Sequence, residues 1–230
     1  MIMTSKKTCV ITAVCGNYKA HVHSIDHLNV DGFIFGNATN ITYDGDRWKR
    51  CLDRYFQHDD PYIEYKYYKC QWHKIPLLNE YNIIVWIDST LELKNIPYEE
   101  LKTNDMVMYK HNVSRSTHHE IRLSRDARFH PYRAKLQSLL REPRINWVAM
   151  SGFIVVNRCD KVYELNDKWF SKIIEYGPQC QVVFPGVYQS MVDLKLLLIV
   201  DVPRTDPHIE SNYFIRHPHL TKYEDYRKGI

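Results

Sequence analysis

An aspartate that closes a wholly apolar run is the residue of this sequence best placed to do chemistry. Tyr81-Asn-Ile-Ile-Val-Trp-Ile-Asp88 is followed at once by Ser89 and Thr90. A run this apolar reads as a strand buried on both faces, and open α/β sheets bind ligands just beyond the carboxyl ends of such strands. A carboxylate there, with two hydroxyls beside it, suits a hard divalent cation, Mg²⁺ or Mn²⁺, bridging two phosphates. The same aspartate could instead cap the turn after its strand.

Two further groups could join that chemistry. Lys66, Lys69 and His73 recur at spacings of three and four, which places them along one stripe of a helix. Such a stripe is either solvated charge or a row of cations. His217 and His219 flank Pro218 near the end of the chain; an imidazole from this pair could complete a metal's coordination, or both could sit on the surface of a polar tail.

The elements that must position these residues follow from patterning. Cys9-Val-Ile-Thr-Ala-Val14 reads as a buried first strand stopped by Gly16-Asn17, and Asp31-Gly-Phe-Ile-Phe-Gly36 as a second, with residues 18–30 crossing over between them as a βα unit requires. Asp59-Asp60-Pro61 is a helix start, since an Asp cap accepts from free amides and Pro fits the first helical position. The helix it opens shows Ile63, Tyr67, Cys70 and Lys74 on one face and ends or kinks at Pro76. Asp105-Met-Val-Met-Tyr109 is a further apolar run. Residues 110–144, rich in His, Arg and Ser, read as loops plus one helix, a lid or binding region. Trp147–Val156 reads as a strand pair or one bent strand broken at Ser151-Gly152. Asp160–Tyr176 is an amphipathic helix carrying Val162, Leu165, Trp169 and Ile173 on one face and closed by Gly177-Pro178. Tyr188–Leu198 is compatible with helix or strand.

Composition narrows the class. With 44% hydrophobic and 25% charged residues over 230 positions, the chain has an ordinary globular balance and enough length for a sizeable core in one domain, residues 1–230. A net charge of +4, with both signs interleaved, does not suit a duplex nucleic acid partner. The 17 Tyr and 12 His suit sugar or base recognition as well as a crowded aromatic core. The longest apolar stretch, Leu196–Val200, is far short of the roughly 18 residues that span a bilayer. Six scattered cysteines with no metal-ligand rhythm read as free thiols in a reducing compartment. A soluble, cytoplasmic protein is the expectation.

Several segments together resemble the GT-A glycosyltransferases, and more narrowly a set of small glycosyltransferase-like domains of plants, bacteria and the capsid-glycan enzymes of large algal viruses. They are Thr12-Ala-Val-Cys-Gly-Asn-Tyr18, Asp31-Gly-Phe-Ile-Phe, Lys69-Cys-Gln-Trp-His73-Lys-Ile-Pro, Ile84-Val-Trp-Ile-Asp88-Ser-Thr-Leu-Glu-Leu, Gly152-Phe-Ile-Val-Val, Asn166-Asp-Lys-Trp169 and Asn212-Tyr-Phe-Ile-Arg-His217. The resemblance implies an α/β fold with a mixed, mainly parallel central sheet flanked by helices. It implies transfer of a sugar from a nucleotide-sugar, a UDP-sugar first among them, to a glycan or glycoprotein, in the host cytoplasm if the source is a virus.

Particular positions acquire roles by the same resemblance. Thr12, Ala13 and Tyr18 would hold base and ribose, Lys69 and His73 would face the phosphates or donor sugar, and Ser151 and Gly152 would complete the donor site. Asp88, Thr90 and His217 would hold Mn²⁺ or Mg²⁺, with Thr90 standing where a second acid is common. Related domains carry an Asp-Gln pair on the late helix where this chain has Tyr188-Gln189, which leaves Asp167, Asp193 and Glu120 as candidate bases. The two departures also motivate a second expectation, a catalytically inactive domain of this type that binds glycan or a protein partner.

Overall fold

The computed structural model describes residues 6–111, 114–200 and 211–217. In chain order its strands are β1 (Thr8–Ala13), β2 (Ala20–Val22), β3 (Asp31–Phe35), β4 (Ile41–Tyr43), β5 (Trp48–Arg50), β6 (Ile83–Ile87), β7 (Leu91–Leu93), β8 (Met106–Lys110), β9 (Ala149–Asn157), β10 (Leu196–Ile199) and β11 (Phe214–Arg216). The helices are α1 (Pro61–Cys70), α2 (Thr117–Leu123), α3 (Arg133–Ser138), α4 (Asp160–Tyr176) and α5 (Cys180–Gln189).

Seven strands form one sheet in the order β10-β8-β9-β6-β1-β3-β5, which puts β6 at its centre. Every neighbouring pair is parallel except the two made by β9, which runs antiparallel between β8 and β6. The fold is the mixed, mainly parallel sheet flanked by helices that the resemblance implied. Central position explains why β6 is apolar without alternation. Ile84 and Trp86 enter a core shared with α1, α4 and α5, whereas Ile83, Val85 and Ile87 enter a second core on the opposite face. That second face is covered in part by a small antiparallel ribbon of β7 and β11, which contributes Leu91, Leu93 and Phe214.

The helix signals hold at residue level. Asp60 caps α1 by accepting from the Tyr62 amide at 2.8 Å, with Pro61 at the first position. On α4, Val162, Leu165, Trp169 and Ile173 are all fully buried, and Gly177 ends the helix at φ 96°, a conformation that favours glycine.

Other elements differ from the sequence expectation. The 18–30 crossover contains no α-helix; β2 and a 3₁₀ turn at Asp26–Leu28 carry the chain across. α1 stops at Cys70, so Lys74 and His73 lie in a following 3₁₀ turn rather than on the helix. Residues 110–144 hold two short helices, α2 and α3, with 3₁₀ turns around them, among the described residues. The 147–156 segment is one strand, β9, whose register against β8 shifts between Met108 and Tyr109. The undecided 188–198 stretch splits into the end of α5, a turn, and β10. All six cysteines are unpaired, and among the described residues no helix is long and apolar enough to cross a membrane.

Trp169 ties the helical layer together. Its ring packs against Phe184 at 4.7 Å between centroids, and its Nε1 donates to the Cys180 carbonyl at 2.9 Å. Trp169→Ala removes both and is expected to cost about 3–5 kcal/mol in urea unfolding; a loss below about 1 kcal/mol would show that this contact does not organise the layer.

Candidate functional site

Asp88 stands one residue past β6, and its backbone amide donates to the Gly152 carbonyl at 2.8 Å. Three donors converge on one of its oxygens: Oδ1 accepts from Trp86 Nε1 at 2.8 Å and from the Tyr65 hydroxyl, and the Lys69 ammonium lies 3.0 Å from it. Lys69 also donates to the Ser151 carbonyl at 2.8 Å, and its side chain has no solvent exposure. The rings of Tyr65 and Trp86 meet edge to face at 5.2 Å and both lie about 5 Å from the ammonium. Oδ2 takes no side-chain donor among the described residues. A Cβ at position 152 would stand 3.2 Å from Oδ2, so glycine there keeps that oxygen clear.

The electrostatics follow from this packing. Burial raises the Asp88 pKa, but Lys69, Lys66 and the Tyr65 and Trp86 hydrogen bonds outweigh it and hold the carboxyl at about 2. Burial works most strongly against the Lys69 charge, but the charge and hydrogen bond of Asp88, with Cys180 and Cys70, together outweigh it, so the ammonium sits above its ordinary value.

Asp88 opens onto a cavity of about 350 Å³. It lies beyond the carboxyl ends of β1 and β6, with the first half of α1, the start of α5, and Arg216 and His217 after them forming its walls. Asp88 is the one carboxylate among the described lining residues, which include the cations Lys19, Lys66, Arg128 and Arg216 and the imidazoles of His21, His23, His111 and His217. Lys66 rests over the Tyr65 ring at 4.6 Å. Burial lowers its pKa, and the nearby Lys69 and Arg128 add to the effect against Cys180 and Asp88. Such a cavity disfavours its own charge and is complementary to a compact polyanion.

The residues singled out in the sequence divide into three groups. Ala13, Tyr18, Asp88, Thr90, Ser151, Gly152 and His217 all line the cavity. The Tyr18 hydroxyl is buried without a hydrogen-bond partner, a polar group available to a ligand. Thr12 is fully buried behind Ala13 with its hydroxyl also unpartnered. Lys69 lies behind Asp88 rather than facing a ligand, a correction imposed by its burial. His73 is turned away: it stacks on Tyr163 at 5.0 Å and lies 3.2 Å from Asp167.

None of the candidate bases lines the cavity. Asp167 is exposed on α4 and bridged to Lys74 at 2.7 Å. Asp193 is exposed in a left-handed turn, φ 58°, before β10. Glu120 is buried and accepts from Ser114 and, at 2.7 Å, from Gln179; it orients a cavity residue without reaching the cavity. His219 lies outside the described residues.

Arg128, Arg216, His23 and Glu92 escaped the sequence reading as site residues, and Lys66 entered it only as a member of the stripe with Lys69 and His73. Lys66 carried a signal, standing three residues before Lys69 on the same helix. His23 carried another, standing two residues after His21 in an extended segment, a spacing that returns to the same side of a strand.

A divalent ion fits Asp88 in one respect: Oδ2 is open to a cavity that Thr90 also lines. His217 fits that set less well, because its Nε2 lies 2.8 Å from Glu92 and its ring stacks on His23.

No family model matches the sequence, and no curated protein matches it. Among solved structures the chain is similar to the bifunctional glycosyltransferase WbbM in its apo form, at 15% identity and a TM-score of 0.47 over 86% of this chain and 39% of that one. It is similar to the mannosyltransferase Ktr4p from S. cerevisiae, at 10% identity and 0.41 over 75% and 62%. It is also similar to A197 from STIV, at 9% identity and 0.41 over 94% and 97%. The chain thus spans less than two thirds of the first two.

The Lys69–Asp88 pair sets a pH window. Since the folded pKa of Asp88 lies below the ordinary 3.8, its stabilising contribution is complete above about pH 4 and is lost as pH falls through about 2. Lys69→Met leaves the carboxyl its burial without its cation. Its pKa is expected to rise in a carbon-detected NMR titration, with about 3 kcal/mol lost at neutral pH, the lower end for a broken buried pair because Asp88 is partly exposed. An Asp88 pKa unmoved by the substitution would contradict the pairing.

Proposed function

We propose that this chain is a glycosyltransferase that binds a nucleotide-sugar, a UDP-sugar in the first instance, and passes its sugar to a hydroxyl of a glycan or glycoprotein. The observation that supports this most is a single ionised carboxylate set among cations in a cavity beyond the carboxyl ends of parallel strands. Breaking the bond between sugar and diphosphate leaves negative charge on the departing phosphate, and fixed cations beside it lower the barrier. Lys66, Arg128 and Arg216 are the side chains placed to do so. Tyr18, with its unpartnered hydroxyl and its ring edge-on to Tyr62 at 5.5 Å, suits the base or ribose.

Mn²⁺ or Mg²⁺ would be held by Asp88 Oδ2, with Thr90 beside it, and would supply further positive charge to the diphosphate. The chain's own part is to keep Oδ2 ionised and aimed: Lys69, Tyr65 and Trp86 occupy Oδ1, and Gly152 leaves room. Asp167, Asp193 and Glu120, the candidate carboxylate bases for an inverting transfer, are not among the described lining residues.

A second reading is favoured by the same saturation of Oδ1 and by Thr90 in place of an acid: an inactive domain that binds a nucleotide-sugar or glycan. Release of UDP from a UDP-sugar separates the two, since only the enzyme turns over.

In calorimetry, UDP with Mn²⁺ is expected to bind saturably. Lys66→Ala should weaken binding by roughly tenfold, about 1.4 kcal/mol, and Asp88→Asn should remove the dependence on metal. Absence of any UDP binding by folded protein would overturn the proposal.

A further inference from the structure

We infer that His23, Glu92 and His217 form a binding site for a first-row transition metal ion that prefers imidazole ligands, Zn²⁺ in the first instance, at the rim of the cavity and separate from Asp88. The inference does not rest on the glycosyltransferase reading.

Sheet geometry builds this cluster. In the β7–β11 ribbon, Glu92 stands opposite Ile215 and Leu91 opposite Arg216. His217 continues the register, its amide donating to the Thr90 carbonyl at 3.0 Å. Glu92 and His217 are therefore diagonal neighbours on one face, and His217 Nε2 lies 2.8 Å from Glu92 Oε2. His23 arrives from the other side, directly after β2, with its backbone held by Trp48 Nε1 donating to its carbonyl at 2.8 Å. Its ring stacks on that of His217 at 4.1 Å between centroids and 25° between planes.

One ligand atom from each of the three residues lies within 4.8 Å of the others. Three ligands on a tetrahedral zinc ion stand about 3.4 Å apart, so the site closes when the ligand atoms draw together and one imidazole turns out of the stack. Both imidazoles line the cavity, which leaves the remaining coordination positions to water or to an anion bound there. Two neutral imidazoles and one carboxylate favour zinc, cobalt, nickel or iron over magnesium, which prefers an all-oxygen set. Burial, His217 and His21 lower the His23 pKa, against the opposing charges of Glu92 and Asp44.

A neighbouring group, His21, His23 and Asp44, also has ligand spacing. It shares His23, but Asp44 is 60% exposed, against about a third for both His217 and Glu92. The less solvated group is the stronger site.

The test is a titration of EDTA-treated protein with Co²⁺, read by visible d–d absorption and competed by Zn²⁺. Stoichiometric binding displaced by Zn²⁺ is expected, with His23→Ala and Glu92→Gln each weakening it by at least roughly tenfold while circular dichroism stays native. Asp44→Asn should leave it unchanged, and Asp88→Asn, which bears on the proposed oxygen-ligated ion, should leave the intense four-coordinate d–d bands in place. The inference is overturned by the absence of a Co²⁺ spectrum, by loss on Asp88→Asn, which would put the ion at the strand end, or by loss on Asp44→Asn, which would put it in the neighbouring group. Binding of UDP is a separate readout, so failure here leaves the nucleotide proposal standing.

Discussion

A lysine with no exposed side-chain surface survives in a protein interior only if an anion and hydrogen-bond acceptors answer it. Lys69 finds both, in the carboxylate of Asp88 and the carbonyl of Ser151. One partner directly follows β6 and the other lies in β9, so one ammonium fixes α1 against the middle of the sheet at the point where the strand ends. Fixing Oδ1 there also leaves Oδ2 as the charged edge presented to the cavity. The structural pair and the carboxylate of the proposed site are therefore the same interaction.

Among the described lining residues the surrounding positive charge then has a single acid to oppose it. Lys66, one turn back along α1, reaches the cavity that Lys69 does not, and burial makes its charge receptive to an anion. The ribbon of β7 and β11 brings Arg216 and His217 back to the same mouth from the far end of the chain. Under the function proposed above, a site of this plan needs no carboxylate beyond Asp88 to recruit a diphosphate.

Much of the frame was legible because buried parallel strands and capped amphipathic helices leave strong local marks. β1, β3, β6 and α4 all fall where apolar runs and periodicity placed them. The 18–30 crossover was misread because a βα rule stood in for local pattern, and the segment has too little apolar periodicity to build a helix. The place of Asp88, at the end of the central strand beside a cavity, was legible from position alone. Lys69 was found as a residue but not as a role, since a buried and a solvated lysine look the same in a sequence. Glu92 and His23 were invisible as neighbours because only the ribbon register and the β2 segment bring them together across 69 positions.

Phosphorus NMR of UDP probes the cavity most directly, because it reports on the diphosphate rather than on the protein. With folded protein and Mg²⁺ present, both phosphorus resonances should shift and broaden, and Asp88→Asn should return them toward their free positions. Sharp, unshifted resonances in the presence of excess folded protein would contradict the assignment of this cavity to a nucleoside diphosphate.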